Sequence, residues 1–218
     1  MKDMITIIGF GSLLSEESAR RTCPSLKNFR LGRVEHFVRA FNKVDSNCED
    51  FADKNIASWA FVDMPGATSL VTLFEIHADD YPAFIRREAD YDLRCISYIE
   101  TETENVGEGI ACCAFDDDLQ YMEYLERHPI QKERYLSREF ERYNGPIWRK
   151  DILPRNKYLA VCLEAARKLG KHYVENILRQ GYLADEKTTL GEYISRHFNK
   201  HKHLSEMKWL KDFIKVSV

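Results

Sequence analysis

Met4-Ile-Thr-Ile-Ile-Gly-Phe-Gly-Ser-Leu-Leu14 is the stretch from which the rest of the chain can be read. Its β-branched run has the pattern of a short buried strand. The run ends in Gly9-Phe10-Gly11-Ser12, where two glycines let the backbone turn sharply and come close to a ligand. Ser12, or the Ser15-Glu-Glu-Ser-Ala segment behind it, is placed to open a helix. A turn of this kind leaves bare N–H groups pointing outward, and such groups hold anions such as a carboxylate or a phosphate. Gly9-x-Gly11-x-x-Leu14 also carries two of the three glycines of a dinucleotide fingerprint. The third, which permits close helix–strand packing, is replaced by Leu14, and no regular βαβ series follows.

Outward from that loop, residues 33–44 read as one or two strands with a kink, and residues 45–55 as a polar, acidic surface loop. Residues 56–64 and 70–76 read as two strands separated by a Pro65-Gly66 turn. The stretch 78–88 reads as a helix, with Asp79 and Asp80 as caps and Pro82 in its first turn. Residues 91–101 and 110–115 alternate as strands around a Gly107-Glu-Gly109 turn. From Asp117 onward the pattern is helical: 119–128, 131–143, 158–169 up to Gly170, 173–180 and 189–198. Asp116-Asp-Asp118 is read as a helix N-cap, because the alternating ligands of a calcium loop are missing. Strands first and helices later predict an α+β fold. Residues 1–170 are expected to form the main domain, and residues 171–218 a helical C-terminal extension packed on it.

The 218 residues suit one domain with an appendage, and 44% hydrophobic content supplies a sizeable core. A net charge of −3 gives no reason to expect nucleic acid or an anionic membrane as a partner. No apolar run approaches the roughly 20 residues of a membrane-spanning helix. The N-terminal residues lack the basic, apolar, small order of a signal peptide. A cytoplasmic protein, monomeric or homodimeric, is expected. Cys23, Cys48, Cys95, Cys112, Cys113 and Cys162 form no C-x-x-C pattern and read as reduced, mostly buried thiols, with neither a disulfide nor a zinc site. His197, His201 and His203 stand among basic residues and read as a solvated helix end. Trp148 and Trp209 read as helix anchors.

Among chemistry-bearing residues Glu88 stands out. It ends the 78–88 helix, with Arg86 and Arg87 before it and Tyr91 and Arg94 after it. A carboxylate there either projects into a cleft or lies in solvent against a neighbouring arginine. Phe10-Gly-Ser-Leu-Leu14, Arg87-Glu88 with Tyr91 and Arg94, and Pro154-Arg-Asn-Lys-Tyr158 opening a helix together resemble the γ-glutamylcyclotransferase superfamily. That superfamily includes γ-glutamylcyclotransferase itself, the glutathione-degrading ChaC-type enzymes, γ-glutamylamine cyclotransferase and AIG2-like proteins. The resemblance spans about residues 4–170, and the 152–170 segment matches the later family helix. There are departures: the usual first-loop tyrosine is Phe10, and the gap from Glu88 to Tyr91 is short and occupied by Ala89 and Asp90.

The resemblance implies a small mixed β-barrel with outer helices. It also implies release of 5-oxoproline from a γ-glutamyl amide by attack of the substrate's own α-amine, with neither cofactor nor metal. Glu88 would be the general acid/base. The main chain around Phe10, Gly11, Ser12 and Leu13, with the Tyr158 and Tyr91 hydroxyls, would hold the small γ-glutamyl substrate. A raised Glu88 pKa suits that role, so at least two of Arg86, Arg87 and Arg94 are expected to point away. A protein of the same fold that binds a small carboxylate without turning it over is the alternative.

Overall fold

In the computed structural model, which describes residues 4–45, 47–48, 50–137, 143 and 145–214, the opening run is a strand, β1 (Met4–Gly9), with Ile7 and Ile8 fully buried. β1 pairs antiparallel with β3 (Ala57–His77), Ile7 opposite Phe74. β3 in turn runs antiparallel to β2 (Lys27–Val44), Val34 opposite Ser69. β2 touches β4 (Asp92–Glu100) at Gly32 and Arg33, and β4 forms a hairpin with β5 (Val106–Cys113). β5 returns to β1 in parallel, Ile110 beside Ile7. The ring β1-β3-β2-β4-β5 therefore closes into a small mixed barrel, and β6 (Gly181–Leu183) adds a parallel strand on β2. Closure leaves no exposed edge along the ring.

Helices surround this barrel. α1 (Glu16–Arg20) is capped by Ser15, and α2 (Tyr81–Arg87) follows β3 through a single 3-10 turn (Ala78–Asp80). Neither Asp79 nor Asp80 supplies a side-chain cap in the described hydrogen bonds; Pro82 does sit in the first turn. α3 (Asp118–Arg127) is N-capped by Asp117, whose carboxylate accepts the Gln120 N–H at 2.9 Å, and α4 (Pro129–Ser137) follows. Residues 138–142 of the expected 131–143 helix lie outside the described residues. α5 (Asn156–Leu169) stops at Gly170, with α6 (Lys171–Gln180), α7 (Leu190–His197), α8 (Lys202–Ser205) and α9 (Leu210–Ile214) after it. Trp59, Phe41, Phe61, Phe74, Tyr121 and Tyr173 fill the space within the barrel and beneath the helices. The α+β expectation holds.

Several local expectations are corrected. Pro65-Gly66 does not separate two strands. β3 continues through it, and residues 64–67 bulge opposite a single residue, His36, as the register slips between the Glu35–Thr68 and Phe37–Asp63 pairs. His36 and Gly66 both take positive φ (67° and 81°), and the Gly66 N–H donates to His36 Nδ1 at 3.0 Å. A bulge absorbs a proline and bends the ribbon, which a barrel corner needs. Likewise Gly107-Glu-Gly109 lies inside β5, and the turn falls at residues 101–105. The missing side chain of Gly109 lets β1 approach, since a Cβ there would stand 3.0 Å from the Thr6 carbonyl.

The 45–55 loop is not wholly solvated: Asp45 is buried and accepts from Arg155 Nη1 at 2.8 Å. The late strand β6 interrupts the strands-then-helices order. α6 is fastened to the barrel, with Tyr173 Oη donating to the Val71 carbonyl at 3.0 Å and Asn176 accepting the Leu70 N–H at 3.0 Å. Of the three histidines expected to be solvated, His197 and His201 are half-buried and His203 is exposed. The His197 ring stacks on Tyr193, and His201 Nε2 lies 3.2 Å from Tyr193 Oη. Trp148 lies outside the helices: it forms a β-bridge with Lys43, packs edge-on against Tyr91 and Phe115, and its backbone N–H donates to Asp118 at the start of α3 at 2.9 Å. Trp209 donates to Glu164 of α5 at 2.9 Å. All six cysteines are free thiols, five buried and Cys95 exposed. Among the described residues no helix is long and apolar enough to cross a membrane.

Candidate active site

The opening loop is shaped by two constraints. Thr72 of β3 clamps it by donating its hydroxyl to the carbonyls of Leu13 (2.8 Å) and Gly9 (3.3 Å). Gly11, at φ 61°, starts a 3-10 turn (Gly11–Leu14) and lies against the Tyr158 hydroxyl, where a Cβ would stand 2.5 Å from Oη. Of the amides expected to hold substrate, that of Leu13 is already committed to the Phe10 carbonyl at 3.1 Å. Those of Gly11 and Ser12 make no hydrogen bond among the described residues, as the first N–H groups of a helical turn do not. Phe10 packs its ring on Phe61, centroids 4.0 Å apart, so residue 10 belongs partly to the barrel core.

Glu88 is the C-cap of α2. Its backbone N–H closes on the Phe84 carbonyl, buried Phe84 pins the helix to the core, and the Tyr91 N–H returns to the Glu88 carbonyl at 3.1 Å. This tight turn aims the carboxylate inward, leaving its side chain 13% exposed. Burial pushes the Glu88 carboxyl above its ordinary value; Arg87 and Lys43 oppose the rise, and Asp90 adds to it.

The expectation that two of the three nearby arginines turn away is not met. Arg94 alone does so, toward Asp63 and Asp92. Arg86 and Arg87 line the cavity. Arg87 Nε pairs with Glu88 Oε1 at 2.8 Å, while its Nη groups reach the Ser18 carbonyl, Thr22 Oγ1 and, at 3.4 Å, Ser12 Oγ. The reason is geometric: Arg87 is adjacent to an inward C-cap on a short helix, and α1 with the segments flanking it offers it three acceptors.

The two halves meet at a cavity of about 360 Å³, a size typical of small-molecule sites. Phe10, Ser12, Leu13, Glu88, Tyr91 and Tyr158 all line it, and Gly11 lies behind Tyr158. Tyr91 is buried and hydrogen-bonds Ser58; burial, with Glu88 next in effect, drives its phenol well above the ordinary tyrosine range. Tyr158 stands edge-on to Phe41 and Trp59, and burial raises its phenol too. Both hydroxyls therefore remain protonated donors near neutral pH.

Sequence reading missed Lys43, Asp45, Ser58 and Asp90, which also line the cavity. Lys43 Nζ donates to Asp90 Oδ2 at 2.9 Å, and both side chains are 5% exposed. Asp45 is held below the usual carboxylate range: burial opposes this, but the Asn47 amide, Lys43 and Arg155 outweigh it. One signal was available: Asn42-Lys43-Val44-Asp45 places polar residues directly after the apolar Ala40-Phe41 pair. Among the described residues no group of three or more His, Cys, Asp or Glu is placed to hold a metal ion.

No protein-family model matches this chain, and no curated protein matches its sequence. Among solved structures it is similar to a γ-glutamyl cyclotransferase, with 11% identity over 61% of this chain and 87% of that one and a TM-score of 0.43. It is also similar to a yeast γ-glutamyl cyclotransferase specific to glutathione, with 10% identity over 78% and 98% of the two chains and a TM-score of 0.40. An uncharacterised protein from Homo sapiens shares 12% identity over 65% and 92%, with a TM-score of 0.41.

Proposed function

We propose that this protein is a γ-glutamylcyclotransferase-like enzyme that releases 5-oxoproline from a small γ-glutamyl amide, with Glu88 as general acid/base. The observation that carries the reading is a buried carboxylate of raised pKa facing, across one cavity, a loop with two uncommitted amides. In the reaction a bond forms between the substrate's α-nitrogen and its own γ-carbonyl carbon, and the amide C–N bond breaks. On becoming a lactam N–H the α-ammonium loses two protons: Glu88 takes one to free the attacking amine and relays protons to the departing nitrogen, which leaves as the amine and takes up the second proton to become an ammonium. The Gly11 and Ser12 amides receive the substrate carboxylate or the tetrahedral oxyanion, where one well-placed donor is worth about 3 kcal/mol. Folding the glutamyl chain so that nitrogen and carbon meet supplies about 7–11 kcal/mol of the barrier reduction. Tyr91 and Tyr158 act as neutral donors to the glutamyl unit.

The test is to incubate the protein with glutathione, γ-glutamyl amino acids and γ-glutamyl-lysine and to assay 5-oxoproline. Product formed by the parent chain and lost in Glu88→Gln supports the reading. The second reading, a protein that binds a small carboxylate without turnover, is favoured by the Arg87–Glu88 contact, which already engages the base. Measurable ligand binding with no product from any substrate would select it.

A further inference from the structure

Lys43 sits in the wall of the cavity and is immobilised there. Its ammonium donates to Asp90 Oδ2 at 2.9 Å and to the Val44 carbonyl at 3.0 Å, and it stands 5.0 Å from the centre of the Tyr91 ring. Asp90 is itself fixed, accepting from Tyr121 Oη at 3.2 Å. A lysine normally keeps its charge mobile on a flexible stem; this one cannot swing away.

The charge matters because Glu88 and Asp90 share the turn that follows α2. The groups acting on Glu88 come from every surrounding element: Arg87 from α2, Asp90 and Tyr91 from the turn, Lys43 from β2, Cys112 from β5, and Cys23 from the segment after α1. Asp45 and Arg134 lie further along the wall. Of the two cations that oppose burial, Arg87 is shared with Ser18 and Thr22 and is 22% exposed, whereas Lys43 is sealed at 5%.

We propose that Lys43 is a positioning residue of this site: anchored by Asp90 in the cavity wall, its ammonium is a fixed counter-charge that acts beside Arg87 to favour the ionised, base-competent form of Glu88. The proposal rests on the reading of Glu88 as general base. It carries a sign pattern. Removing the cation favours the protonated form of Glu88, and removing the Asp90 carboxylate favours the ionised form. A purely structural ion pair has no such antisymmetry.

The experiment follows the Glu88 carboxyl by carbon-13 NMR titration of the full chain, its resonance identified by absence in Glu88→Gln, alongside the pH profile of 5-oxoproline release. Lys43→Met is expected to raise the Glu88 midpoint by about one pH unit. Asp90→Asn is expected to lower it, the double variant to fall between, and Lys43→Arg to stay near the parent. The double variant replaces a buried pair without leaving a lone charge, so it remains informative if Lys43→Met does not fold. Midpoints that stay put, or move the same way in both single variants, would overturn the role of Lys43. Opposite shifts without 5-oxoproline from any substrate would uphold the counter-charge and overturn the cyclotransferase reading.

Discussion

Gly11 and Tyr158 lie far apart in the chain, and each explains the other. With φ at 61° and the Tyr158 hydroxyl against its α-carbon, position 11 excludes a side chain on two grounds. The left-handed backbone alone costs a non-glycine residue about 1–2 kcal/mol. Gly11→Ala should therefore lower unfolding stability by about 2 kcal/mol or more in urea, and adding Tyr158→Phe should recover only the steric part, leaving the backbone cost. At Glu88 two effects of one substitution run in opposite directions. Glu88→Gln should reduce turnover about 100-fold or more. Its folded pKa is raised, so the native state binds this proton more tightly than the unfolded chain does, and the ionised side chain costs stability once pH rises through that folded value. The Gln variant should melt at the same or a higher temperature than the parent at pH 7, with the advantage disappearing below the ordinary glutamate pKa. A lower melting temperature at pH 7 would contradict the burial argument. The glycines and Glu88 were readable from the sequence because special backbone geometry and unusual placement leave a local mark. The Arg87–Glu88 pairing was not, because it depends on the acceptors that Ser12, Ser18 and Thr22 supply.

At the scale of elements, the end of β2 joins the barrel to the helices. Lys43 faces the cavity, and Asp45, one strand repeat further on, meets Arg155 at the start of α5. Removing one partner of a buried pair leaves the other charge stranded, so Arg155→Ala should cost about 3 kcal/mol. The pH dependence has a definite sign. The folded pKa of Asp45 is depressed, so its contribution is present above the unfolded value and is lost as pH falls toward the folded one. Denaturation of the Arg155→Ala variant should consequently depend less on pH through the acid range than that of the parent. The element types were legible from apolar periodicity, but the corner at His36 and Gly66 was not. Pro-Gly reads locally as a turn, and only the facing strand determines that it is a bulge.

At the scale of the whole molecule, the residues after Gly170 are fastened to the barrel by backbone-directed bonds. Tyr173 reaches Val71. Asn176 reaches Leu70 and Thr68 and accepts from the fully buried Arg39, and β6 pairs with β2. Deleting residues 171–218 should therefore abolish a cooperative thermal transition, because it removes the Asn176 partner of the buried Arg39 and uncovers β2; a sharp, parent-like melt of the truncated chain would show the extension to be dispensable. By itself the sequence determined what is local: a first strand ending in a glycine turn, a mostly strand-bearing first half followed by helices, and a carboxylate at a helix end. Closure of the barrel through β5 and β1, the late strand β6, and the union of Lys43, Glu88, Asp90 and Asp45 in one cavity were decided by tertiary structure. These pairings join segments far apart in the chain, and their energies come from burial and charge that exist only once the ring has closed.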